Sequence, residues 1–194
     1  MNYTITHAKN KSELYAVLDF AEGIFGQSEQ FDRAIWEARL HLHPELIVFA
    51  HFDGQVVGIA PSFLEDNGNV TVGAVAVDRR YRMKGIASAL MVEVERQSKA
   101  IGAKMVALGA SEAAEDFYQK LGYIGQLLIQ SEKCTADEML ALNPGYPVAF
   151  TNVYDGKIHQ LCLRLDMPDR ELQQRYESSL EGCYTQTMFW KNIA

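Results

Sequence analysis

Two tight-turn pairs, Asp53-Gly54 and Asn67-Gly68, constrain this 194-residue chain more than any other feature. Asp-Gly and Asn-Gly tolerate the positive φ angles that tight hairpins require, and both pairs are flanked by apolar runs of strand length. Leu46 to Phe52, Gln55 to Leu64 and Asn69 to Val77 therefore predict a three-strand antiparallel meander. The third strand stops at Asp78. A polar stretch, Arg79-Arg80-Tyr81-Arg82-Met83-Lys84, leads into a helix from about Gly85 to Lys99, in which Ile86, Ala87, Leu90, Met91 and Val94 share one arc. A strand (Lys104 to Leu108), a helix (Glu112 to Leu121) and another strand (Tyr123 to Gln130) follow. A strand, a crossover helix and a further strand imply parallel pairing, with the turn before the helix open to a ligand. A meander feeding such a unit predicts an α/β fold with a mixed, mostly antiparallel sheet.

The flanking segments are less regular. Residues 2–8 alternate loosely as a first strand, and Ser12 to about Leu42 places Leu14, Val17, Leu18, Ile35, Trp36 and Leu40 at helical spacing. Gly23 and Gly26 divide that stretch into two helices, and Pro44 ends the second. After Ser131, strands Val148 to Tyr154 and Lys157 to Leu165 flank Asp155-Gly156. A helix starts at Pro168, Gly182 caps it near its end, and a strand from Tyr184 to Ile193 closes the chain. This length suits one well-buried core with an elaboration, expected as residues 1–130 and 131–194.

Bulk properties exclude some functions. A formal charge of −7 argues against a general nucleic-acid binder, which needs basic surface to displace phosphate counterions. No apolar run approaches the ~18 residues of a membrane span, and no signal peptide is visible at the N-terminus, so no membrane partner is expected. Cys134, Cys162 and Cys183 are odd in number and widely spaced, which suits a reducing cytoplasm and offers no zinc-site spacing. His41, His43 and His51 lack acidic or thiol partners at ligand spacing, so no metal is expected.

The chemistry concentrates where the third meander strand turns into the helix. Several amide N–H groups in a helix's first turn have no intrahelical partner, and the helix dipole adds partial positive charge. Gly85 and Ala87 let a ligand approach the backbone closely, and Arg79, Arg80, Arg82 and Lys84 add mobile positive charge, so the junction suits a pyrophosphate. A solvated basic loop before a tightly packed helix has the same composition. The segment is neither a Walker loop nor a dinucleotide fingerprint, because the required glycines are absent.

Arg82-x-x-Gly85-x-Ala87 resembles the acyl-CoA signature of the GNAT N-acetyltransferase superfamily, Gln/Arg-x-x-Gly-x-Gly/Ala. About thirty residues on, Ala114-Glu115-Asp116-Phe117-Tyr118-Gln119-Lys120-Leu121-Gly122-Tyr123 is similar to that family's alanine, two residues, Phe-Tyr, two residues, Leu-Gly-Phe/Tyr element. The likeness covers roughly residues 1–130. It implies acetyl-CoA as donor, with the amides of Arg82, Met83, Lys84, Gly85, Ile86 and Ala87, and the adjoining Ser88, on the pyrophosphate. The strand carrying Val75 and Val77 would splay from its neighbour and pair with the pantetheine arm, Val77 N–H holding the thioester carbonyl. Tyr118 would protonate the departing thiolate, with Phe117 packed inward beneath it.

The sequence departs from the family pattern at two positions. Ser111 stands where many members have an Asn that contacts the cofactor. Thr71 stands where histone-type members carry a glutamate base, leaving Glu65, Asp66, Glu29 or an ordered water chain as candidates. The implied reaction is direct acetyl transfer to the primary amine of a small molecule or peptide, without a covalent enzyme intermediate. A non-catalytic acyl-CoA-binding regulator is the alternative that the missing base favours. Residues 131–182 would be an insertion before the closing strand, serving as packing, as a wall of the acceptor site or as a homodimer contact.

Overall fold

A computed structural model describes residues 2–154 and 156–194, so Asp155 of the expected Asp155-Gly156 turn lies outside the described residues. They divide into two compact units, one running to Leu108 and regaining Asn192–Ala194, the other Gly109–Lys191.

The first unit contains β1 (Thr4–His7), α1 (Lys11–Phe25), α2 (Arg33–Leu42), β2 (Ile47–Phe52), β3 (Gln55–Leu64), β4 (Val70–Val72), β5 (Ala76–Val77), α3 (Ile86–Ala100) and the start of β6 (Met105–Ala110). The meander is present, with β2 antiparallel to β3 and β3 antiparallel to β4. β1 adds an antiparallel edge on β2, and β4 pairs in parallel with β6. The expected single strand over Asn69 to Val77 is broken in two. Gly73 N–H donates to Pro61 O at 2.8 Å, continuing the β4 register, but Ala76 faces Ile59, so one extra residue sits in between as a bulge.

Gly23 does not break α1. The helix passes through it and ends at Gly26, whose φ of 83° and N–H bond to Glu22 O (2.9 Å) make a left-handed stop. Leu14, Val17, Leu18 and Ala21 of α1 join Phe31, Trp36, Ile47, Phe49 and Ile59 in a buried core, as the helical spacing predicts. On α3, Ile86, Leu90, Met91 and Val94 are buried, and the helix packs on β2 and β3. Gly58 permits this approach: a Cβ there would stand 3.1 Å from Ile86 Cγ2, 3.2 Å from Leu90 Cδ1 and 3.3 Å from Ala76 O.

The second unit holds the end of β6, then α4 (Glu115–Lys120), β7 (Ile124–Ser131), α5 (Ala136–Leu140), β8 (Val148–Tyr154), β9 (Ile158–Arg164), α6 (Arg170–Ser179) and most of β10 (Cys183–Asn192). β7 is antiparallel to both β10 and β9, and β9 to β8. Leu127, Ile129, Leu161, Leu163, Leu172 and Tyr176 form its core. α5 is absent from the elements expected of the sequence, although Thr135 and Glu138 form a reciprocal capping box at its start. α6 begins two residues after Pro168, because the Asp169 carboxylate caps the N–H of Leu172 at 2.9 Å. Among the described residues no helix is long and apolar enough to cross a membrane.

Gly58→Val should cost about 1–3 kcal/mol, because backbone and helix side chains already occupy the added volume. A urea titration checks this: the midpoint should fall with little change in slope.

Candidate active site

The ladder between β4 and β6 ends at Thr71↔Ala107, while Val72, Gly73, Ala76 and Val77 stay on β3. The strand carrying Val75 and Val77 therefore leaves its parallel neighbour, as the resemblance implies. Asp78 N–H donates to Val57 O at 2.9 Å. Successive backbone groups alternate sides along a strand, so Ala76 and Asp78 face β3 and Val77 turns its N–H and C=O to the edge that β6 has left. The Val77 carbonyl accepts from Arg82 Nε at 3.1 Å. Val75 lies in the bulge and belongs to neither ladder.

The loop after β5 is built around two positive φ angles, 59° at Met83 and 78° at Gly85. Met83 is fully exposed, and Gly85, in the left-handed region, precedes the first residue of α3. The first intrahelical bond runs from Ala89 N–H to Gly85 O at 3.0 Å, so the N–H groups of Ile86, Ala87 and Ser88 lie ahead of the helix ladder. No atom outside its immediate neighbours lies within 4 Å of where a Gly85 Cβ would be. Open space, free donors and the positive end of a fifteen-residue helix together fit a pyrophosphate.

The basic residues are less mobile than the sequence suggests. The Asp78 carboxylate accepts from Arg80 Nη2 at 2.7 Å and from Arg80 N–H at 2.9 Å, and these bonds hold its pKa down at about 2. Arg80 thus braces the turn. Lys84 Nζ donates to Arg80 O at 3.3 Å. Arg79 is exposed.

Thr71, which cannot act as a base, donates its hydroxyl to Glu65 Oε1 at 2.8 Å. Glu65 N–H also bonds to Asn69 O at 2.8 Å, so Glu65 continues the β3–β4 register. A carboxylate is thereby brought to the position whose own residue lacks one. Asp66 is exposed in the turn beyond, and Glu29 is exposed before α2.

In the second unit Tyr118 is 5% exposed, with its ring 5.0 Å from Phe117, 5.9 Å from Tyr123 and 5.6 Å from Phe189. Burial pushes its pKa up to about 12. Phe117 is the less buried of the pair, the reverse of the expected packing, because α4 turns Tyr118 toward Tyr123 and Phe189. A buried polar network that sequence reasoning missed steadies this short helix. Glu115, one turn before Tyr118, accepts from Thr187 Oγ1 at 2.5 Å and pairs with Arg170, while Gln173 donates to Thr187 at 3.1 Å. Ser111 is exposed and makes no capping bond.

Residues 12–123 match the Acetyltransferase (GNAT) family. No curated protein matches the chain. Among solved structures, it is similar to Ard1 from Thermoplasma volcanium (TM-score 0.56, 17% identity, 87% of this chain and 100% of that one). An acetyltransferase of the GNAT family from Staphylococcus aureus Mu50 gives a TM-score of 0.56 at 16% identity over 100% of both chains. The PaiA N-acetyltransferase from Thermoplasma acidophilum, solved with coenzyme A, gives 0.52 at 15% identity over 85% of this chain and 100% of that one. These likenesses show a shared fold. The family match spans more than half of the sequence, and the chain belongs to the GNAT acetyltransferases, acyltransferase enzymes that use acetyl-CoA.

Proposed function

We propose that this protein is an N-acetyltransferase that moves acetyl from acetyl-CoA directly onto a primary amine. The observation that carries the reading is the junction of β5 and α3. There an outward-facing strand edge runs into a helix whose first-turn amides are free beside an open space at Gly85. In this reading Arg82, Met83, Lys84, Gly85, Ile86, Ala87 and Ser88 bind the pyrophosphate. Val75 and Val77 align the pantetheine arm, and Ser111 adds a polar contact to the donor.

The donor presents a thioester-activated acetyl group. Val77 N–H donates to the thioester oxygen and stabilises the negative charge that develops there. The acceptor nitrogen forms its bond to the acyl carbon as the C–S bond breaks, and two protons must move. Glu65, held by Thr71, takes one from the nitrogen. Tyr118 gives one to the departing sulfur. Its raised pKa keeps the phenol protonated throughout the pH range in which the protein would be assayed. All three cysteines lie after the family motifs, and burial raises the pKa of Cys162 and Cys183 to about 11, which suits neither as a nucleophile.

Gly85→Glu should abolish coenzyme A binding in isothermal titration, since it adds bulk and negative charge and forces a left-handed φ on a residue that disfavours it. Gly85→Asn, which tolerates that φ, should keep measurable affinity. Normal binding by the Glu variant would remove the pyrophosphate site.

Tyr118→Phe and Glu65→Gln should each lower kcat by roughly 10²-fold or more, the usual scale of proton-transfer catalysis, with acetyl-CoA affinity near wild type. With its pKa pushed up to about 12 by burial, Tyr118 stays protonated around neutral pH, so its replacement should leave the shape of the pH–rate profile there unchanged. Unaltered kcat in either variant would strip that residue of its role.

A further inference from the structure

Arg39 lies in the last turn of α2, where a cation ordinarily sits against the terminal carbonyls. Its guanidinium instead stands over the Phe63 ring at 3.5 Å and the Trp36 ring at 4.5 Å. Those rings meet edge to face at 6.0 Å. Trp36 is held in turn: its Nε1 donates to Gln30 O at 2.8 Å, and its ring closes on Gly73, where a Cβ would stand 3.1 Å from Cζ2. Gln30 donates to the Gly73 carbonyl, tying the segment before α2 to the sheet.

The guanidinium is thus half-buried and fixed in orientation, and among the described residues it makes no hydrogen bond or ion pair. A planar fork of five donors, stacked on aromatic faces and lacking an acceptor, has the form of a carboxylate receptor. On the same sheet face stands the opposite charge. Phe63 and Thr71 are cross-strand partners, and Glu65 follows Phe63 by two residues, so all three side chains leave one face. Burial holds the Arg39 pKa below the usual guanidinium value, and the Glu65 carboxylate partly offsets that lowering, although no ion pair joins them.

Building on amine transfer as the reaction, we propose that Arg39 and Glu65 form a zwitterion receptor and that the acceptor is a free amino acid. The Arg39 fork binds its carboxylate, and Glu65 binds its ammonium and takes the first proton, which frees the lone pair that attacks; the second proton leaves the nitrogen to solvent as the amide forms. Polyamines and aminoglycoside-like acceptors fit poorly, because they would bring positive charge to Arg39. A peptide amine offers an uncharged amide where the carboxylate belongs.

The test measures thiol release from acetyl-CoA with free amino acids, their carboxamides and the matching decarboxylated amines. The best amino acid should exceed its own amide and amine in kcat/KM by about a hundredfold or more, as expected when a buried fork is left without its acceptor. Arg39→Gln and Arg39→Lys should shrink that ratio to less than about tenfold, chiefly through KM, because neither preserves the bidentate geometry. Coenzyme A should raise the melting temperature of both variants as it does wild type, which separates a lost receptor from a lost fold. Amides or amines used as well as amino acids, or a preference unmoved in both variants, would overturn the receptor and leave amine transfer standing. Coenzyme A binding with no thiol release from any of the three classes would remove amine transfer and the receptor together.

Discussion

The first unit depends on β3 carrying two registers along one edge. Its outer half pairs with β4 and its inner half with β5, and the extra residue between them lets Val72, Gly73, Ala76 and Val77 stay on β3 after the chain leaves β6. A strand that kept one register throughout would hold both neighbours and bury its backbone groups in ladders. The bulge instead turns Val77 to a free edge immediately before the loop into α3. Gly58, on the inner half of β3, then allows the first turns of α3 to lie directly on the sheet. Strand edge and helix terminus are therefore fixed by the same few residues.

Electrostatics divides the remaining work. The loop before α3 uses backbone amides as fixed partial charges, while Asp78 and Arg80 neutralise each other and brace the turn. Glu65 and Arg39 stay apart on one sheet face, each held by an uncharged neighbour: Thr71 for the carboxylate, Phe63 and Trp36 for the guanidinium. In the second unit a buried carboxylate, Glu115, is matched by Arg170 and Thr187, and the helix it anchors buries Tyr118 among rings. An unmatched Glu115 would be costly in that setting, so the network steadies α4 as well as satisfying a charge.

Much of this is legible in local sequence signals. Hairpin turn pairs mark the meander, helical spacing marks the faces of α1 and α3, and the Arg82-x-x-Gly85-x-Ala87 junction with the Phe117-Tyr118 element marks the family. Where sequence and structure part, the reasons are physical. Gly23 has the character of a breaker, but glycine in a helix interior costs only about 1 kcal/mol against alanine, which the packing of α1 outweighs. The break between β4 and β5 has one local sign, Gly73 inside the expected strand, but Val75, Ala76 and Val77 are all compatible with an unbroken strand and mask it. α5 does carry a readable sign, Thr135-x-x-Glu138, but its single turn is too short for apolar periodicity to emerge. Arg39 and Glu115 are hidden for another reason: Phe63, Arg170 and Thr187, which help to fix them, are distant in sequence, and an isolated charge on a helix reads as a solvated face.

Amide hydrogen exchange, measured with and without saturating coenzyme A, tests the central claim most directly. Slowed exchange is expected in two places of the first unit, at Val75 and Val77 and at Ile86 to Ser88, because those amides lie outside the helix and sheet ladders until the ligand bonds them. Binding that leaves both places exchanging as in the free protein would contradict it.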